Sequence, residues 1–317
     1  MVNNDRHFTH IQSASATNGQ SGTTDVLPGV NDIRKSLREG PKEYYTVRRD
    51  HIIEDLVKIY GKDNENGDGT TGNIAFEIEG EEGIDNGGVA REVFSFIWKA
   101  FYIKCCEGQS QYIPIQTTAH ATDDFYFTCG RIFHHEFLVK WVFPLSFSTA
   151  TLLCGLAGSR LVPNVVILSS FLDSLSTKES PTLSAAMANF REVIASEQNQ
   201  HMLEAILWQF KCHMSPSCGN IHDLILATAT TATIGQPCLA MQDFKEGFLS
   251  CNLGTEIWGK ASVNEILIAL KGLQKSPVEL ANSLKCPVKI LMPHITGSWK
   301  TDASNVNGKN SRFSPFC

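Results

Sequence analysis

IAFEIEGEEGIDNGGVAREVFSFIWKAFY, residues 74–102, holds two different periodicities separated by a turn. Ile74, Phe76 and Ile78 alternate with Ala75, Glu77 and Glu79, the two-residue period of a strand with one buried face. From Val89 the spacing changes: Val89, Val93, Phe96, Ile97 and Ala100 recur along one stripe of a helix. Between them lies GEEGIDNGG (80–88). Gly80 and Gly83 allow a tight exit from the strand, and Gly87 and Gly88 supply positive-φ or close-approach positions. Asp85 is placed to cap the first amides of the helix. Glu81 and Glu82 are expected in solvent or paired with Arg48, Arg49 or Arg91. Nothing ties these acids to a cleft or a nucleophile, so the turn reads as structural.

Working outward, the same mixture continues. Residues 1 to about 40 are rich in Ser, Thr, Asn, Gln and Gly, as in SASATNGQSGTT (13–24), and read as a disordered tail because they bury too little apolar surface to offset ordering. Order is expected from near Tyr44. Ile52, Leu56 and Ile59 follow at helical spacing, and GKDNENGDGTTGN (61–73) is a turn-rich loop. Downstream, Gly130–Phe143 predicts a helix ending before Pro144, and 152–175 predicts short buried helices. Met187, Phe190 and Ile194, then Leu203, Ile206, Leu207 and Phe210, predict one or two amphipathic helices. The threonine-rich segment from Ala227 is ambiguous, and Phe244, Phe248 and Leu249 predict a short helix. Beyond about Lys271 the chain turns irregular. The expectation is an α+β, mostly α-helical domain over 41–270 with a few short strands, between a polar tail (1–40) and an irregular tail (271–317).

The composition narrows function. With 42% apolar residues in 317 the chain can bury a sizeable core, and a formal net charge of −6 without a basic run argues against nucleic-acid or anionic-membrane binding. MVNNDRHFTH has no secretory core. The most membrane-like stretch, 151–172, is interrupted by Arg160, Pro163 and Asn164. A cytoplasmic or nuclear location is expected, with the ten cysteines reduced.

Three stretches, in order, resemble the N-terminal lobe of HECT-type ubiquitin ligases. TVRRDHIIEDLVKIY (46–60) resembles the family's Val-Arg-Arg-Asp helix. Residues 74–102 resemble its strand, Gly-Glu-Glu-Gly-Ile-Asp-x-Gly-Gly turn and helix. FYFTCGRIFHHEFLVKWVFPLSFSTATLLCGL (125–156) resembles its Gly-Arg helix and Leu-Pro-Phe step. LDSLSTKESPTLSAAMANF (172–190) and MQDFKEGF (241–248) add weaker matches. The resemblance implies a HECT N-lobe-like fold, ubiquitin-protein transfer, no cofactor, and as partners a ubiquitin-conjugating enzyme and ubiquitin, the protein substrate being unspecified.

The family transfers ubiquitin through a C-terminal-lobe cysteine that follows a threonine in a loop. The 47 residues after Leu270 are too few for that lobe, so the chain is expected to be inactive alone. The alternative is a non-catalytic scaffold that binds a conjugating enzyme or another ligase. No cysteine qualifies as catalytic: Thr128-Cys129 falls in an apolar helix, Cys317 is terminal, and Cys286, beside Lys285 and Pro287, is a weak candidate. Any conjugating-enzyme surface should fall between Ala186 and Phe244, with Leu203, Leu207, Trp208 and Phe210 as apolar contributors. Cys212, His213, Cys218 and His222 cluster in sequence but lack the paired knuckle of a zinc site. Adjacent His134 and His135 should divide between core and solvent. No P-loop, dinucleotide fingerprint, nucleophile elbow or HExxH occurs.

Overall fold

The computed structural model describes Leu27 and residues 30–64, 72–81, 88–115, 125–140, 144, 146–158, 161–251 and 253–273. All of these belong to one compact unit. Gly83, Asp85, Gly87, Glu82, Cys286 and Cys317 lie outside the described residues.

The deciding stretch folds as its periodicities dictate. The strand is β2 (Asn73–Ile78) and the helix is α3 (Gly88–Cys105). β2 pairs in parallel with β1 (Lys42–Val47), in register Tyr45 to Phe76 and Val47 to Ile78. A 3₁₀ turn, Arg49–His51, and α2 (Ile52–Tyr60) then carry the chain away from β1. Helix α1 (Val30–Glu39) forms within the polar stretch that composition reads as a tail, and corrects that expectation for residues 30–39. Val30, Ile33 and Leu37 recur one helical face apart, which is enough to dock it on α4 (Phe125–Lys140). Arg34 Nε also donates to the Leu138 carbonyl at 3.0 Å. Covered by both α1 and α3, β2 buries Ala75 as well as Phe76, so its alternation is incomplete.

Two expectations fail along α3 and its turn. Phe96 is 39% exposed and Val89 half-buried, while Val93, Ile97 and Ala100 are buried as expected and Ala90, Phe94, Trp98 and Phe101 widen the buried face. Gly80 has φ 79°, as a tight exit requires, whereas Gly88 has no positive φ and an added β-carbon there meets nothing within 4 Å. Arg49 is the partner of Glu81, together with Glu92, and Arg91 stands exposed.

A hairpin, β3 (Cys106–Gly108) and β4 (Tyr112–Pro114), follows α3. The rest is helical: α5 (Thr149–Ala157), α6 (Asn164–Ser174), α7 (Glu179–Ala188), α8 (Phe190–Ile194), α9 (Glu197–Gln209), α10 (Ile221–Thr230), α11 (Cys238–Ser250), α12 (Gly254–Trp258) and α13 (Val263–Leu273). The described residues are thus α+β and mostly helical. Between α10 and α11 lies a π turn, Thr231–Gly235. Thr228, Thr230, Thr231 and Thr233 each donate a hydroxyl hydrogen bond to the carbonyl four residues back. That local satisfaction lets a β-branched run stay helical where composition is ambiguous.

The centre is the crossing of α4 and α11. An added β-carbon at Gly130 would stand 2.0 Å from the Phe244 carbonyl oxygen, and one at Gly247 would stand 2.0 Å from that of Phe127. Each helix therefore presents a glycine to the other's backbone. Phe133, Phe244, Phe248 and Trp258 pack around the crossing at centroid separations of 5.5–6.3 Å.

His134 and His135 do not divide between core and solvent; both are buried. α4 is surrounded by α1, α2, α3 and α11, so opposite faces both point inward. Trp258 Nε1 donates to His134 Nδ1 at 3.1 Å. His135 Nε2 lies 3.1 Å from the Gly72 carbonyl, which only accepts, so Nε2 donates and Nδ1 accepts from the Tyr60 hydroxyl at 2.8 Å. Among the described residues no single helix is long and apolar enough to cross a membrane; Ile221–Gly235 with Cys238–Ser250 passes only as a pair bent by 44°.

Candidate functional site

A concavity lies where α8 and α9 meet the segment after α9, an open groove of about 560 Å³. Phe190 and Ile194 of α8 form one wall. Leu207 and Trp208 of α9 form the floor and rim, with Glu204 one turn and Gln200 two turns earlier. Cys212 to Pro216 form the far wall.

Local sequence explains each wall. Ser196 caps α9 by accepting from the Asn199 amide at 3.4 Å. At its other end the amide of Cys212 donates to the Leu207 carbonyl and that of Lys211 to the Trp208 carbonyl, both at 2.9 Å. This paired closure is a Schellman turn, with Lys211 at the left-handed position, φ 61°. It folds residues 212–216 back over the end of α9. Asn220 then fixes their far end: its Oδ1 accepts from the Ser217 amide at 2.7 Å and its Nδ2 donates to the Ser215 carbonyl at 3.1 Å. Glycine is the usual signal for such a turn, and lysine stands in its place, so the turn is silent in the residue pattern.

The four residues expected to form a docking surface separate into two groups. Leu203 is fully buried, and Phe210 turns its ring onto Phe171 at 5.0 Å, so both serve the core. Leu207 is 2% exposed and shows only its edge to the groove. Trp208 is 64% exposed and carries the surface, its ring edge-on to His213 at 4.9 Å. Met214, 64% exposed, and Ile194, 40% exposed, complete the apolar opening. Helical spacing groups Leu203, Leu207 and Phe210, and Trp208 stands one residue off that stripe; the Ile194 and Met214 flanks carry no signal in that pattern.

Polar chemistry here is modest. Gln200 Nε2 donates to Glu204 Oε1 at 3.0 Å, leaving the carboxylate at the rim. Among the described residues no three His, Cys, Asp or Glu side chains gather as ion ligands, so Cys212, His213, Cys218 and His222 do not converge. Cys129 is fully buried, and burial pushes its thiol well above the ordinary cysteine range, so it is not poised to ionise. The groove offers apolar contact with an acidic edge at Glu204, and Cys212 and His213 stand in its far wall.

Comparison with protein-family models and with curated proteins finds no match.

Proposed function

We propose that the chain is a HECT-type ubiquitin-pathway module whose α8–α9 groove docks a ubiquitin-conjugating enzyme. What supports this is the exposed Trp208 set between two apolar flanks in a concavity, within the interval where the family resemblance puts that partner's surface. Large aromatic side chains in such settings supply most of the energy of small protein interfaces. The ordered resemblances over 46–60, 74–102 and 125–156 support the family assignment. In this reading the 317-residue chain supplies docking and orientation, and no thiol of its own accepts ubiquitin.

The test is a binding survey against a panel of conjugating enzymes. One or more should bind, and Trp208→Ala should weaken that binding at least tenfold while circular dichroism stays unchanged. Failure of every enzyme to bind, or binding indifferent to Trp208, removes the reading. In parallel, wild type and Cys286→Ser are mixed with ubiquitin-charged enzyme and run on non-reducing gels. No reductant-sensitive adduct is expected; one that vanishes in the variant would make Cys286 a nucleophile and the chain a transferase.

A further inference from the structure

Away from the groove, α5 and α11 each carry a cysteine on the stretch where the two helices pack. Cys154 is half-buried on the last turn of α5, and Cys238 is exposed at the first residue of α11. The facing stripes of the two helices are fixed on both sides of the pair. The Thr151 hydroxyl, one turn before Cys154, donates to the Thr233 carbonyl at 2.6 Å. Met241, one turn after Cys238, lies against the residue following Cys154: a β-carbon at Gly155 would stand 2.6 Å from its terminal methyl. Burial pushes the Cys154 thiol up, the nearby Cys238 adds to this, and the Lys245 ammonium two turns along α11 opposes it. Cys154 thus feels Cys238 and Lys245 from the same α11 face. The remaining cysteines of the core, Cys105, Cys106, Cys129 and Cys251, are buried.

We propose that Cys154 and Cys238 form an oxidisable pair that closes a disulfide between α5 and α11 when the protein meets a peroxide. Cys238, the exposed member, reacts first. Its thiolate attacks the O–O bond of hydrogen peroxide, becomes a sulfenic acid and releases hydroxide. The Cys154 thiolate then attacks that sulfur, forming the S–S bond and expelling a second hydroxide. The two thiol protons neutralise the hydroxides, so two thiols and one peroxide give one disulfide and two waters. Exposure delivers the oxidant to Cys238, and the partly shielded neighbour resolves the sulfenic acid before it oxidises further. The link ties the start of α11, the helix that crosses α4, to α5.

The experiment uses the full reduced chain, limiting hydrogen peroxide, alkylation of remaining thiols and peptide mapping. A peptide pair joined through Cys154 and Cys238 is expected, lighter by two hydrogens and separated by thiol reductant. In Cys154→Ser, Cys238 should accumulate as a sulfenic acid trapped by dimedone. The proposal is overturned if wild type gives sulfenic or sulfinic Cys238 while Cys154 stays alkylatable. It is equally overturned if the linked peptide is a different pair, such as Cys212 with Cys218 or one containing Cys286 or Cys317.

Discussion

Two tryptophans divide this molecule. Trp258 is 1% exposed, packs on Phe137 at 4.8 Å and Phe133 at 5.5 Å, and donates its indole N–H to a buried histidine. Trp208 is 64% exposed, touches one histidine ring, and sits beside a turn held by a left-handed lysine. Around Trp258 the helices approach so closely that two glycine positions have no room for a methyl group. Around Trp208 there is a groove of about 560 Å³. The first region devotes its aromatic surface to holding the fold. The second leaves comparable surface to water, and a side chain that contributes little to folding is free to contribute to binding.

The sharpest way to break that contrast is at the crossing. Gly130→Ala puts a carbon 2.0 Å from the Phe244 carbonyl oxygen, which is backbone and cannot rotate aside. The helices must separate, and a loss of about 3 kcal/mol or more in urea unfolding is expected. Gly88→Ala is the control: its β-carbon meets open space and its backbone is helical, so stability should hold or rise by up to about 1 kcal/mol. Equal losses at both glycines would mean that the crossing is looser than described.

Sequence made part of this legible. The strand–turn–helix of 73–105 shows in its change of period, and most helices show in their apolar spacing, because both signals are local. Helix α1 did not show: its ten residues are polar overall, and three apolar positions suffice only because α4 is there to receive them. The second buried histidine was hidden for the same reason. A helix packed on all sides buries opposite faces, and nothing in its own pattern reports how many neighbours it has. At the groove, Trp208 is legible as an apolar residue one position off the Leu203–Leu207–Phe210 stripe, and only the fold shows that this offset leaves it exposed.

A smaller loss is expected beside α2, on the packed side of the molecule. Asp55 accepts from the Arg48 backbone amide at 2.9 Å and from its guanidinium at 3.0 and 2.6 Å. These bonds, with help from Lys58, hold its carboxyl well below the usual range. A carboxylate depressed on folding contributes stability above its unfolded pKa of about 3.9 and loses it as the pH falls further. Asp55→Asn should cost about 1–3 kcal/mol at pH 7. The gap between variant and wild type should narrow below about pH 4. A gap independent of pH would show that the charge is not what the site uses.

Trp208→Ala should cost less, about 1 kcal/mol, because most of the ring is already in water. Trp258→Ala, by contrast, should cost about 3–5 kcal/mol. If the two variants unfold at similar urea concentrations, Trp208 is a structural residue and the groove loses its main claim to function.

The smallest effect tests the wall of the groove, and its sign depends on two opposed terms. Lys211 holds φ 61°, a conformation that costs a residue with a β-carbon roughly 1–2 kcal/mol. Glycine removes that strain but gives the unfolded chain about 0.5–1 kcal/mol of extra freedom. The difference predicts that Lys211→Gly stabilises by about 0.5 kcal/mol. The amides that close the turn belong to the backbone, so residues 212–216 should keep their place beside Trp208 and partner binding should persist. A destabilised variant would mean that the lysine side chain itself secures the turn. A stabilised variant with weakened binding would point to the lost ammonium as a partner contact, and would extend the docking surface past the end of α9.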